Sequence, residues 1–285
     1  MSVDICELIR QKMPTFSKGQ KRIAEAILSN YEETAFMTAA KLGQLVGVSE
    51  STVVRFAIEL GFAGYPEFQR AARDLIRTKL TPIQRISITK ARLGKGDLLT
   101  NVMNSDVNKI RQTLESIDRE AFDAAVSHIL EAKRVFIIGV RSSFSLASFL
   151  TFNLSMIMDN VHMIQPTSTS EVFEQILDIS EGDVLFAISF PRYSTKIVKA
   201  VRYAKANKAK IIVLTDSLLS PIADDADCLL TAESDMVSFV DSLIAPLSII
   251  NAILAAITIR CPDEIRTRFE RLEAIWDQYD IYAKR

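Results

Sequence analysis

Two loops in the second half of the chain gather hydroxyls and an arginine in the same pattern. Gly139-Val140-Arg141-Ser142-Ser143 follows one apolar run, and Ser189-Phe190-Pro191-Arg192-Tyr193-Ser194-Thr195 follows another. Hydroxyls donate hydrogen bonds to an anion without adding charge. The start of a following helix offers N–H groups with no intrahelical partner, and an arginine forks onto a phosphate or carboxylate. One such loop is an ordinary helix cap. Two of them, both Ser-rich and both carrying Arg, point to a site for an anionic small molecule. Its candidate residues are Gly139, Arg141, Ser142, Ser143, Ser189, Arg192, Tyr193, Ser194 and Thr195. A third loop, Thr215-Asp216-Ser217, follows a further apolar run.

A second constellation lies in residues 38–61, TAAKLGQLVGVSESTVVRFAIELG. Ala39, Leu42, Leu45 and Val46 fall at helical spacing and predict the buried face of a short helix. Gly47 stands where that helix must stop and the chain must turn sharply. Ser49 is placed to cap a second helix through the backbone of Ser51 or Thr52. Val53, Phe56, Ala57 and Leu60 predict the buried stripe of that second helix, which leaves Glu50, Ser51, Thr52 and Arg55 outward. Two helices joined by a tight turn, with short polar groups starting the second, fit a helix-turn-helix that reads DNA. The candidate contacts are Lys41, Ser49, Glu50, Ser51, Thr52 and Arg55.

Charge distribution agrees with that division. The net charge of −1 hides 15 Lys or Arg against 9 Asp or Glu in residues 1–96, and 19 against 26 in the remainder. A basic first third suits a polyanion partner. Catalysis has weaker candidates. His128 sits in a helical pattern and His162 at the start of a strand, while Glu171, Glu174 and Glu233 have no spacing that singles them out as bases. No Ser-His-Asp order at an elbow, phosphate loop of the Walker type or metal-ligand cluster is present, so no catalytic residue, metal or cofactor is expected. Cys6, Cys228 and Cys261 are few, odd in number and far apart, which predicts free thiols in a reducing cytoplasm.

Around these residues the elements alternate in a readable way. A helix over 17–30, with Ile23, Ala24, Ile27 and Leu28 as its core face, precedes the reader, and Pro66 starts another after it. Residues 78–96 hold Arg85, Lys90, Arg92 and Lys95 without one acid and read as a linker with some local helix. Residues 97–116 predict a long helix that packs through Leu98, Val102, Val107, Ile110 and Leu114. From 132 onward, apolar runs at 134–139, 161–165, 183–189, 210–216 and 228–231 alternate with helical segments. Runs without polar alternation mark strands buried on both faces, and the alternation marks a doubly wound α/β domain with a parallel sheet. Its ligands belong beyond the carboxyl ends of the strands, where both Ser-Arg loops fall. Residues 243–259 are apolar but broken by Pro246, Ser248 and Asn251, which predicts a buried helix and no membrane span. The organisation expected is a helical DNA-binding domain over 1–77, a linker and connecting helix over 78–120, an α/β domain over 121–262 and a helical tail over 263–285. In that tail Phe269, Leu272, Ile275, Trp276 and Tyr279 pack on their own domain or on a second subunit.

The second half resembles the sugar isomerase (SIS) domain, whose loops commonly read Gly-x-Gly-x-Ser and Ser-x-Ser-Gly-x-Thr. Gly139, Arg141 and Ser143 match the first, and Ser189, Pro191, Arg192 and Ser194 or Thr195 the second. The stretch AFMTAAKLGQLVGVSESTVVRFAIELGFAGYPEF is similar to the helix-turn-helix of RpiR-type bacterial transcription regulators, which join such a reader to an SIS domain. The resemblance spans nearly the whole chain. It implies a cytoplasmic regulator, homodimeric or homotetrameric, that binds a double-stranded DNA operator and answers to a phosphosugar effector; the alternative is a phosphosugar isomerase-like enzyme. Two departures stand out. Arg141 replaces the second glycine of the first loop, and Pro191-Arg192-Tyr193 replaces the Ser-Gly of the second. Two extra cations imply an acidic sugar derivative or phosphorylated sugar acid beside a simple sugar phosphate.

Overall fold

The computed structural model describes residues 5–77, 81–93, 97–165, 168–236 and 238–282. The chain divides into two compact units, 1–94 and 95–285.

The first unit is all helix: α1 (Ile5–Lys12), a 3₁₀ turn at Met13–Thr15, α2 (Lys18–Ser29), α3 (Tyr31–Thr34), α4 (Ala39–Val46), α5 (Glu50–Glu59), α6 (Tyr65–Arg77) and α7 (Pro82–Leu93). The starts of α2, α4 and α5 are written locally. Ser17 and Gln20 form a reciprocal capping box on α2, and Thr38 caps α4 by accepting from the Lys41 N–H. Gly47 takes the left-handed conformation, φ 68°, and Ser49 caps α5 by accepting from the Thr52 N–H. Val53, Phe56, Ala57 and Leu60 are all buried, as their spacing predicts. Phe56 lies 5.0 Å from Phe16 and 6.1 Å from Phe68, ring centre to ring centre, so an aromatic cluster supports α5 from beneath. Leu45 is a correction: it is 60% exposed. The face of α4 that meets the bundle is Ala39, Leu42 and Gly43 instead. Gly43 explains why, because a Cβ there would lie 2.8 Å from the Val48 carbonyl oxygen. Backbone meets backbone at that point, which turns the helix away from Leu45.

Of the expected linker, residues 78–80 and 94–96 lie outside the described residues, and α7 occupies the stretch between them.

The second unit opens with α8 (Leu98–Ser116) and α9 (Arg119–Glu131). A parallel sheet follows: β1 (Val135–Gly139), β2 (Val161–Met163), β3 (Val184–Ile188), β4 (Lys210–Thr215) and β5 (Cys228–Thr231). Its spatial order is β2-β1-β3-β4-β5, with every pairing parallel. Helices α10 (Ser142–Ile157), α11 (Thr169–Gln175) and α12 (Thr195–Ala206) connect the strands, and α13 (Ile244–Arg260) and α14 (Pro262–Gln278) complete the domain. Alternate residues of the central strands β1, β3 and β4 feed two separate cores. Ile137, Phe186 and Ile212 join α9, α10 and α13 on one face, while Ile138, Leu185 and Val213 join α11 and α12 on the other. That is why these strands read as unbroken apolar runs. The edge strand β2 departs from the expected two-sided burial, with His162 exposed and Val161 and Met163 half-buried on one core. Helix α13 is the buried apolar helix expected, and among the described residues no single helix is long and apolar enough to cross a membrane. Ile265 and Phe269 of α14 pack on the same core.

Helix α8 departs from its predicted packing. Leu98, Val107, Ile110 and Leu114 are exposed, Val102 is half-buried, and the buried residues are Lys109 and Thr113. A polar seam holds this helix. Thr113 Oγ1 accepts from the Glu233 N–H at 2.9 Å, and Asp106 accepts from the Ser242 hydroxyl at 2.7 Å and from Lys109 at 3.3 Å. Periodicity locates an apolar stripe but does not say which side meets the domain.

Candidate functional site

In a parallel sheet of this order the chain leaves β1 toward one neighbour through α10 on one face, and enters β3 on the other side from α11 on the opposite face. The crevice between β1 and β3 is the switch point at which doubly wound sheets bind ligands. Gly139 and Ile188 are register partners at the carboxyl ends of those two strands. Both Ser-Arg loops therefore rise from the rim of one crevice, although 50 residues separate Gly139 from Ser189 in sequence.

The first loop is shorter than expected, because α10 begins at Ser142 and takes in Ser143. Gly139 makes that possible. A Cβ there would lie 2.3 Å from the Ser143 carbonyl oxygen and 2.7 Å from its carbonyl carbon, so helix and strand end meet backbone to backbone. Arg141 bridges the gap with φ 57° and ψ −122°. That is the conformation of the first central residue of a type II′ turn, normally glycine. Arg192 in the second loop is also left-handed, φ 67°. Both side chains are exposed, and among the described residues neither is paired with a carboxylate.

The hydroxyls divide by depth. Ser143 and Ser189 are 4% and 3% exposed, and the Ser189 N–H is spent on the Leu214 carbonyl. Ser142, Ser194 and Thr195 lie nearer solvent, and Ser194 caps α12 through the Lys196 N–H. The Tyr193 hydroxyl donates to Asp216 at 2.9 Å, and Thr215 donates to the same oxygen at 3.3 Å. The third loop thus joins the site through Asp216, a carboxylate suited to sugar hydroxyls and unsuited to a phosphate. Motif spacing does not reveal it, since the Tyr193–Asp216 link depends on strands β3 and β4 being neighbours.

The histidines stand elsewhere. His162 lies on the edge strand β2, stacked 5.2 Å from Phe136, and is the register partner of that residue near the start of β1. His128 is half-buried on α9. Among the described residues there is no group of three His, Cys, Asp or Glu that would hold a metal ion. All three cysteines are free, and burial pushes the Cys228 thiol up from its ordinary value.

In the first unit the start of α5 is open to solvent. Glu50, Ser51 and Arg55 are exposed, Thr52 is half-buried, and Lys41 is exposed on α4. Ser49 is occupied as a cap and also meets the Ser51 and Thr52 hydroxyls at 2.9 and 2.8 Å. Arg55 Nε donates to the Ser51 carbonyl at 3.3 Å. Arg22, on α2, reaches across to the Gly47 carbonyl at 3.1 Å. Its place beside the turn comes from α2 packing on α5, so no local pattern announces it.

Known proteins share both halves. Residues 3–78 match the family model described as helix-turn-helix domain, rpiR family, and residues 128–256 match the SIS domain. The HTH-type transcriptional regulator HexR of Escherichia coli is 23% identical over 284 residues, covering 95% of this chain and 93% of its own. The NanR protein of Vibrio vulnificus, complexed with ManNAc-6P, has the same fold with a TM-score of 0.61 at 21% identity, over 99% of this chain and 100% of its own. The sugar isomerase domain of an RpiR transcription factor from Sphaerobacter thermophilus superposes with a TM-score of 0.60 at 26% identity, over 63% of this chain and 99% of its own. With reader and sheet in the same order and each matched by its own family model, the chain belongs to the RpiR-type regulators, a helix-turn-helix joined to a C-terminal SIS domain.

Proposed function

We propose that this protein regulates transcription by binding a duplex operator with an affinity set by a small anionic sugar derivative. That ligand is a sugar phosphate or a phosphorylated sugar acid, held over the β1–β3 crevice. The observation that carries this reading is the convergence of two Ser-Arg loops on the switch point of a parallel sheet, in a chain whose first unit holds a capped two-helix reader. The ManNAc-6P bound by the Vibrio vulnificus neighbour supports the ligand class. Arg141 and Arg192 support a second negative charge on the ligand. The SIS fold is shared with isomerases; here we assign it to sensing rather than turnover.

Ser51, Thr52 and Arg55 meet bases or phosphates, and Lys41 adds salt-dependent attraction. A homodimer or homotetramer presents paired readers to successive half-sites about 34 Å apart. The exposed Leu99, Met103, Ile110 and Leu114 of α8 are the surface we assign to that assembly, which sedimentation of the intact chain measures. Coupling runs through α8, the first element of the second unit, because the chain beyond β5 is tied to it at Thr113 and Asp106. A coupling of about 1–3 kcal/mol changes operator affinity roughly 5- to 150-fold.

The test is selection of bound duplexes from a random pool, followed by titration with phosphorylated sugars and sugar acids. A two-fold symmetric site that Arg55→Ala weakens, and whose affinity one ligand class shifts, is the expected result. Turnover of a phosphosugar without duplex binding would replace this reading with the isomerase.

A further inference from the structure

A polar cleft of about 570 Å³ opens between α2 and α5, beside the first turns of α5. Its lining includes Ser17, Gly19 and Arg22 from α2, Gly47 from the turn, and Thr52 and Arg55 from α5. Among the described residues no Asp or Glu lines it. The carboxylate linked to its wall is Glu59, which accepts from Gln20. Two arginines therefore face a concave, acid-free space. Each is held by one bond to a main-chain carbonyl, Arg22 through Nη2 to Gly47 and Arg55 through Nε to Ser51. A guanidinium carries five N–H donors, so both keep donors for a further acceptor. Gly19 adds no side chain to that wall; a Cβ there would lie in ordinary van der Waals contact, 3.5 Å from the Thr52 and Val48 side chains.

We infer that this cleft is a clamp for one backbone phosphodiester of the operator, shared by Arg22 and Arg55, which sets the depth and register of α5 in the groove. The inference rests on the DNA-reading proposal above. A major groove is about 12 Å wide and bordered by phosphates on both sides, so a helix whose first turns enter it meets a strand at its flank. The flank of α5 carrying Thr52 and Arg55 is the one that opens on the cleft. Such a contact positions the protein and reads no base.

The probes are the selected operator and an unrelated duplex of equal length, titrated with the full chain across a salt series. Arg22→Gln is expected to weaken both duplexes equally, by up to about fivefold near 0.15 M salt, and to lower the slope of log affinity against log salt by up to about 0.9, the value of one whole phosphate, of which Arg55 keeps a share. Arg22→Lys should restore the slope. Gly19→Asp, which puts a carboxylate into the cleft, should weaken both duplexes further while thermal unfolding reports an intact fold. Wild-type chain should also lose affinity for an operator bearing one neutral methylphosphonate at the clamped position, and Arg22→Gln should lose less. Inorganic phosphate at millimolar concentration should leave duplex affinity unchanged beyond its ionic strength; specific competition would make the cleft a free-phosphate site and overturn the inference. Unchanged affinity and slope in Arg22→Gln would overturn it too, with DNA reading still standing. Absence of any duplex binding by the wild-type chain would instead remove the reading beneath it.

Discussion

The two edges of the parallel sheet use arginine in opposite ways. At the amino edge, Arg134 donates to Asp183 at 2.6 and 3.0 Å and to the Asp178 carbonyl at 2.7 Å. Asp183 also accepts from the Ser180 N–H at 2.9 Å and is 1% exposed. Burial pushes the Asp183 carboxyl up, but the Arg134 and Ser180 bonds outweigh it and hold the group below the usual carboxylate range. At the carboxyl edge, Arg141 and Arg192 sit exposed on left-handed backbone. One edge is closed by a satisfied charge. The other keeps its charge available on a backbone that favours glycine. Elsewhere in the described chain, Gly47 and Gly61 supply such turns in the reader at no steric cost. Asn160, Lys208 and Asp280 also take positive φ, so what sets Arg141 and Arg192 apart is this backbone together with their place at the rim of the crevice.

The largest effect should come from breaking the closed edge. Arg134→Met leaves Asp183, which is 1% exposed, without its cation and should cost about 3–5 kcal/mol in chemical denaturation of the second unit. Replacing both partners, Arg134→Met with Asp183→Leu, should cost far less, because an apolar pair leaves no buried charge unmatched. Equal losses in single and double variants would mean that the pair does not close this edge. The pH dependence has a definite sign. A carboxyl depressed in the folded state adds stability above its unfolded value, near ~4, and that increment disappears as pH falls through the folded value. The wild-type chain should therefore lose stability below about pH 4 by a margin that the double variant lacks.

The next effect lies where β1 hands over to α10. Gly139→Ala brings a methyl group to 2.3 Å from the Ser143 carbonyl oxygen, and the main chain cannot yield there as a long side chain would. A cost of about 2–3 kcal/mol is expected, with a matching loss of ligand-induced thermal stabilisation as the crevice deforms. Full stability with full ligand response would show that the close approach is unimportant.

How much of this was legible beforehand follows from distance along the chain. Caps, turns and buried stripes are local, so Ser49, Gly47, Val53 and Phe56 announce the reader through their spacing. The central strands β1, β3 and β4 announce themselves because both faces are covered, leaving no polar alternation. The Arg134–Asp183 pair links residues 49 apart and needs the β1–β3 neighbourhood before it exists. Tyr193–Asp216 and Arg22–Gly47 are hidden for the same reason. Leu45 and the α8 stripe show the reverse case: an apolar period was visible, but which neighbour it met was set by Gly43 in one helix and by the Thr113 and Asp106 bonds in the other. The two Ser-Arg loops were legible as chemistry. Their meeting at one crevice required the strand order.

The smallest change in stability should be the most informative, because its sign opposes the others. Arg141→Gly relieves a φ, ψ pair that costs a side-chain-bearing residue about 1–3 kcal/mol. It also adds freedom to the unfolded chain, which takes back about 0.5–1 kcal/mol. The balance is a gain of about 1 kcal/mol, or a melting rise of roughly 2–4 °C for a domain of this size. Ligand affinity should move the other way. Removing a charge-assisted bond of about 1.5–3 kcal/mol weakens binding roughly 10- to 150-fold. Arg141→Ala separates the two effects, since it loses the charge but keeps the strain: affinity should fall as far, and stability should not rise. A chain that becomes more stable as glycine yet holds its anionic ligand as well as before would mean that the left-handed arginine serves nothing in the crevice, and that the two edges differ in geometry alone.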